Sequence, residues 1–154
     1  MSELKKPWLM GVTWDSIVSV NRSLCQAQKM EALINTKIAS REWWERTVQK
    51  PMNLLDALTI CRNACEQGPF TFNNGNTFAA IARGLIEDAL RTAPAVEAQI
   101  LRTTISHYVA GTVAKKELQQ VLAQLAPLLE KSVAPSRSAA DLPAPRLTEA
   151  RPLA

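Results

Sequence analysis

The residue types best suited to chemistry in this sequence are three cysteines and a single histidine. Cys61 and Cys65 are four positions apart, which on a helix places both thiols on one face. With Cys25 and His107 they make a Cys3His set of the type that binds zinc tetrahedrally. Cysteine is also a small buried hydrophobe, and the chain has no CxxC pair. We therefore expect all four residues to be structural, and we predict no metal site and no cofactor.

No enzymatic motif is found elsewhere in the sequence. His107 has no neighbouring signature that pairs it with a serine, a cysteine or a carboxylate. Glu87 and Asp88 are adjacent, so on a helix their carboxylates point in different directions and do not form an acid–base pair. Glycine-rich phosphate loops and HExxH pairs are also missing. Since no motif requires a particular chemistry, we predict that the protein is not an enzyme.

Four aromatic residues are the candidates for binding another protein. Trp43 and Trp44 are adjacent within the segment Arg-Glu-Trp-Trp-Glu-Arg, and adjacent helical residues point about 100° apart. One tryptophan is therefore expected to face solvent, where a tryptophan among charges is typical of a binding hot spot. Burial of both between helices on two sides is the alternative. Phe70 and Phe72, in an asparagine-rich segment, complete the predicted protein-binding set.

The elements that position these residues are predicted to be α-helices. Apolar residues recur at the three- and four-residue spacing of a helical face, first in a long helix that begins at the N-cap Thr13 and includes Ile34 and Ile38. Further stretches with this spacing cover residues 40–50, 52–67, 78–91, 94–110 and 112–131. The sequence thus predicts an all-α compact bundle of about five main helices and one short one.

Residues 70–78 are the exception to this pattern. The dipeptide Asn74-Gly75 between aromatic residues is a strong signal for a tight turn, so a short β-hairpin is one interpretation. The other is an ordered loop that ends where Asn76 or Thr77 caps the next helix. We favour the loop, because an isolated two-stranded hairpin is only marginally stable.

The predicted domain organisation has three parts. Residues 1–12 form a flexible N-terminal segment, residues 13–131 form the helical domain, and residues 132–154 form a disordered tail rich in proline and alanine. The tail has too few apolar side chains to offset the entropy lost on ordering.

Charge and hydropathy restrict the classes of partner. The formal net charge of +4 is spread along the chain, and only Lys5-Lys6 and Lys115-Lys116 are adjacent basic pairs, which disfavours nucleic acid as the partner. No window is apolar enough to span a membrane. An odd number of cysteines without a recognisable signal peptide fits a reducing compartment, so we expect free thiols and a cytoplasmic location.

The resulting functional hypothesis is a non-enzymatic adaptor, chaperone or assembly factor of a bacterial type that binds another protein. Two alternatives stay open. One is a small helical nucleic-acid-binding regulator with a helix-turn-helix in residues 95–126, and the other is a metal-binding or thiol-dependent protein that uses the cysteines and His107. Homodimerisation through the tryptophans or through the leucine stripe of the last helix is also compatible with the pattern.

Deleting residues 132–154 is expected to leave the helical domain folded, because the deleted segment has little apolar area to bury. Thermal unfolding of the truncated and full-length proteins, followed by circular dichroism, should give closely similar midpoints. A large drop in the melting temperature would contradict the prediction.

Overall fold

The computed structural model of the chain describes residues 5–35 and 39–133. Within these ranges the chain forms seven α-helices and only two isolated β-bridges, which confirms the all-α class, with more helices than the sequence predicts. The helices are α1 (Trp14–Ala27), α2 (Ser40–Thr47), α3 (Leu54–Gln67), α4 (Asn74–Gly84), α5 (Glu87–Leu90), α6 (Ala95–Ala110) and α7 (Lys115–Val133). None of the helices described here is long and apolar enough to cross a membrane.

Helix α1 begins as predicted but is shorter. Thr13 is its N-cap and accepts a hydrogen bond from the backbone N–H of Ser16. The helix ends at Ala27, because Lys29 adopts a left-handed conformation with φ of 59° and the N–H of Met30 bonds back to the carbonyl of Cys25. This is the hydrogen-bonding pattern of a Schellman cap. The long first helix predicted through Ile34 is therefore wrong beyond this point.

Helices α2 and α3 agree more closely with the sequence. The short helix begins at Ser40 as predicted, and the hydroxyl of Ser40 donates to Oε1 of Gln67 at 2.6 Å, which links the start of α2 to the end of α3. Asn53 caps the start of α3 through its side chain. Gly68 ends α3 in the left-handed conformation, with φ of 65°, as expected for a glycine at this position.

Helix α4 replaces the predicted turn. Asn74 and Gly75 are its first two residues, so the hairpin is not formed, and the helix begins before the predicted caps Asn76 and Thr77. Asn73 precedes it with φ of 66°, a conformation that asparagine tolerates better than most residues. The local preference of Asn-Gly for a turn is thus overcome by a helix that starts directly at this dipeptide.

The second half of the chain is divided differently from the prediction. The single helix expected over residues 78–91 is broken between Gly84 and Glu87 into α4 and α5. Helix α6 ends at Gly111, with φ of 92°, as predicted. Helix α7 continues through Pro127 to Val133, two residues beyond the predicted boundary at 131, and the rest of the predicted tail lies outside the described residues.

Helix α4 is central in the packing and contacts α1, α3 and α6, while α7 covers α5 and α6. The described part of the leucine stripe of α7, up to Leu125, faces the bundle. Leu118 is fully buried, and Val121, Leu122 and Leu125 pack partly buried against the core. We therefore interpret this stripe as part of the core.

Residues 5–12, which the sequence places in a flexible segment, pack on the helical domain. Lys6 and Met52 exchange two backbone hydrogen bonds of 2.9 Å, and the side chain of Leu9 is fully buried. The carbonyl of Val12 accepts the indole N–H of Trp44 at 2.9 Å. The described part of this segment therefore closes one end of the core.

An aromatic cluster at the centre of the core joins four separate segments. Trp14 stacks on Phe70 with ring centroids 5.9 Å apart and an angle of 9° between the planes. Trp44 and Phe78 complete the cluster, each with its ring centroid less than 6.5 Å from that of Trp14. Offset-stacked and tilted aromatic pairs stabilise a fold beyond the apolar area that they bury.

Replacing Trp44 by alanine is expected to lower the free energy of unfolding by about 3–5 kcal/mol, because the change empties a fully buried volume. The matched change Trp43→Ala is expected to cost about 1–2 kcal/mol, since Trp43 is only partly buried. Urea unfolding followed by circular dichroism measures both values. Equal losses of unfolding free energy for the two variants would contradict the prediction that the more deeply buried tryptophan contributes more to stability.

Candidate protein-binding site

The structure separates the four aromatic residues predicted to bind a protein. Trp44 and Phe70 have almost no solvent exposure and belong to the core, so they are not available to a partner. Trp43 is partly buried against Trp44. Phe72 is exposed. Of the two adjacent tryptophans, Trp44 is fully buried and Trp43 is partly buried, and of the four predicted residues only Phe72 is exposed.

Two further exposed apolar residues, Leu33 and Ile34, lie on the segment that pairs with residues 69–71. The side chains of Phe72, Leu33 and Ile34 are 38%, 43% and 48% exposed, respectively, and we call them the apolar patch. The backbone N–H of Thr71 donates to the carbonyl of Leu33 at 2.9 Å, which brings the two segments side by side. The patch therefore combines residues that are far apart in the sequence.

Sequence reasoning missed Leu33 and Ile34 because apolar residues continue at helical spacing beyond the end of α1. The spacing assigns Ile34 to the buried face of a long helix, whereas the Schellman cap at Lys29 turns the chain into an extended segment. No glycine or asparagine marks that cap in the sequence. The only available signal is that residues 33–38 contain few charged side chains to form the polar face of such a helix.

A buried asparagine holds the Phe72 segment against α1. The side-chain amide of Asn21, which is 1% exposed, donates to the carbonyl of Phe72 at 2.8 Å and to the hydroxyl of Thr77 at 3.1 Å. The side-chain amide of Asn73 donates to Oε1 of Gln28 at 3.0 Å and also approaches the Cys25 thiol. These hydrogen bonds fix the segment on its inner side, so that the patch has a rigid base.

The cysteines and the histidine do not form one site. Cys25 lies on α1, Cys61 and Cys65 on α3, and His107 on α6, where its Nδ1 is 3.1 Å from the hydroxyl of Thr112. In the described ranges, no group of three or more histidine, cysteine or acidic side chains is arranged to hold a metal ion. All three cysteines are free thiols.

The chemical state of the α3 thiols also disfavours reactivity. Burial raises the pKa of Cys61 to about 12, and the neighbouring Cys65 adds to the increase. Burial likewise raises the pKa of Cys65, with a further contribution from Glu66. Since the thiolate is the nucleophile and the metal ligand, neither residue is activated for those roles near neutral pH.

Comparisons of the chain with protein-family models, with curated proteins and with solved structures each found no match.

Cys61 is expected to resist a water-soluble thiol reagent in the folded protein at mildly alkaline pH, because it is fully buried and protonated. In concentrated guanidinium chloride all three thiols should react rapidly. Mass spectrometry of the alkylated peptides identifies which cysteines are modified. Fast labelling of Cys61 under native conditions would contradict the assigned burial and pKa.

Proposed function

We propose that the domain is a non-enzymatic protein-binding module that acts as an adaptor, chaperone or assembly factor and recognises its partner through the apolar patch. The observation that carries this proposal is the exposure of Leu33, Ile34 and Phe72 on two segments that backbone hydrogen bonds hold side by side. Clustered exposed apolar side chains are typical of interaction sites, whereas single ones are common on any surface.

Unusual backbone conformations also support this location. In the described residues, the two non-glycine residues with positive φ are Lys29 and Asn73, and they flank the two segments that carry the patch. A left-handed conformation costs roughly 1–2 kcal/mol at a residue such as Lys29 and less at Asn73, because asparagine tolerates it. Such costs are concentrated at functional sites, where a particular local shape is required.

A second pair of exposed apolar side chains, Val96 and Ile100, lies on α6 together with uncharged polar residues. This surface belongs to one regular helix, whose backbone groups in its interior are already bonded to each other. It needs no special local conformation, so we assign the binding site to the patch and treat α6 as a control surface.

The patch has a limited capacity to bind on its own. Burying the exposed fractions of its three side chains, 38–48% each, yields about 2–4 kcal/mol, given about 1.5–3 kcal/mol for a whole apolar side chain. A micromolar complex requires roughly 8 kcal/mol. A partner must therefore make further contacts beside the patch.

Immobilised protein is expected to capture a partner from cell lysate in a manner that depends on the patch. Phe72→Ser and Leu33→Ser should each reduce the recovery of that partner several-fold, because each exposed fraction supplies roughly 1 kcal/mol of apolar burial. Val96→Ser removes a more exposed apolar side chain from α6 and should leave recovery unchanged. Quantitative mass spectrometry measures the amounts captured.

Two outcomes of this experiment would contradict the proposal. One is equal recovery by the wild type and both patch variants, which would show that the captured protein binds elsewhere. The other is a loss with Val96→Ser and none with Phe72→Ser, which would move the binding site to α6. Circular dichroism of each variant confirms that the fold is retained.

A further inference from the structure

The two segments beneath the patch form a minimal antiparallel pair. The N–H of Asn35 donates to the carbonyl of Pro69 at 2.7 Å, and the N–H of Thr71 donates to the carbonyl of Leu33 at 2.9 Å. These bonds lie on either side of the bridge between Ile34 and Phe70. Ile34 and Phe70 are therefore a non-hydrogen-bonded pair, in which the N–H and the carbonyl of each residue point away from the other segment.

The outer edge at Phe70 is closed by a side chain. The carboxamide oxygen of Asn74 accepts the N–H of Phe70 at 3.0 Å, and its nitrogen donates to the carbonyl of Phe70 at 2.7 Å. Asn74 thus makes the two hydrogen bonds that a neighbouring strand would make. The side chain of Phe70 itself is buried against Trp14.

The opposite edge, at Ile34, has no such cover. The residue is 48% exposed, and no described residue bonds with its N–H or its carbonyl. The N–H and the carbonyl of Ile34 therefore point away from Phe70 and are unpaired among the described residues. Unpaired strand edges of this kind are templates for adding another chain.

We propose that the partner binds as an extended peptide segment that adds to this edge, an inference that depends on the protein-binding function proposed above. Its backbone exchanges two hydrogen bonds with Ile34, and the peptide side chains on either side of the paired position lie on the same face as Leu33. Main-chain pairing of this type provides affinity, while alternate side chains provide specificity. It also supplies the additional contacts that the patch requires.

The same geometry selects against a helical partner. A helix has its interior N–H and carbonyl groups bonded within itself, so it can cover the patch but cannot pair with Ile34. The favoured ligand is an extended segment with apolar residues at alternate positions, since successive side chains of a strand point to opposite faces.

The substitution Ile34→Pro tests the edge directly, because it removes the outward N–H. The bonds to Leu33 and Asn35 do not use this N–H, and proline is tolerated on a strand edge whose N–H faces solvent. Ile34→Val is the matched control, since valine keeps the N–H and has a side chain similar in size to that of proline. Thermal unfolding of both variants establishes that the domain is intact.

The probe is a peptide selected on the wild-type protein from a random phage-displayed library, then synthesised with a fluorescent label. Fluorescence anisotropy should show similar affinity for the wild type and Ile34→Val, and about tenfold weaker binding to Ile34→Pro, the loss expected for a removed hydrogen bond and its unsatisfied partner. In an extended peptide, alternate residues direct their N–H groups to the same edge. N-methylation of the residues whose N–H groups face Ile34 should weaken binding, whereas N-methylation of the residues between them should not. This second measurement tests the pairing even if Ile34→Pro does not fold.

Equal affinities for Ile34→Pro and Ile34→Val would overturn strand addition, as would selected peptides with helical spacing or a library that yields no binder. If the peptide binds Phe72→Ser more weakly but binds Ile34→Pro as well as the wild type, the patch is still a protein-binding site, and only the proposed strand addition is wrong. If the patch variants capture the partner from lysate as well as the wild type does, the proposed function itself is wrong. The two proposals are thus tested separately.

Discussion

The stacking of Trp14 on Phe70 is the contact on which the rest of the structure depends. Trp14 is the first residue of α1, and Phe70 lies between α3 and α4, so the stack joins three helices around one point. Trp44 brings α2 to the same point and, through its indole N–H, the N-terminal segment at Val12. Without this cluster, the short connections between the helices would have little apolar surface to hold them in place.

Phe70 links the core with the proposed site. Its side chain is buried in the aromatic cluster, while its backbone defines the position of Ile34 on one side and is bonded by Asn74 on the other. The exposed edge therefore lies one residue away from the most constrained part of the molecule. Binding there requires little additional ordering, which lowers the entropic cost of association.

Sequence reasoning predicted the features that depend on local pattern and left out those that depend on distant contacts. The caps at Thr13 and Gly68 and the end of α6 follow from residue types with strong local preferences. The end of α1 does not, because a lysine occupies the left-handed position of its cap. The exposed edge is still less accessible to prediction, since it requires the pairing of Ile34 with Phe70, which no local spacing indicates.

The stacked pair also has a consequence for folding kinetics. Trp14 and Phe70 are 56 positions apart, whereas most contacts of a small helical protein connect residues that are close in sequence. The chain must close a loop of this length before the two rings can stack. The entropy lost in closing it slows folding relative to bundles with mainly local contacts. The pairing of Ile34 with Phe70 also joins distant parts of the chain, so the edge exists only after those parts have come together. A ligand that pairs with Ile34 therefore discriminates the folded domain from its unfolded or partly folded chain.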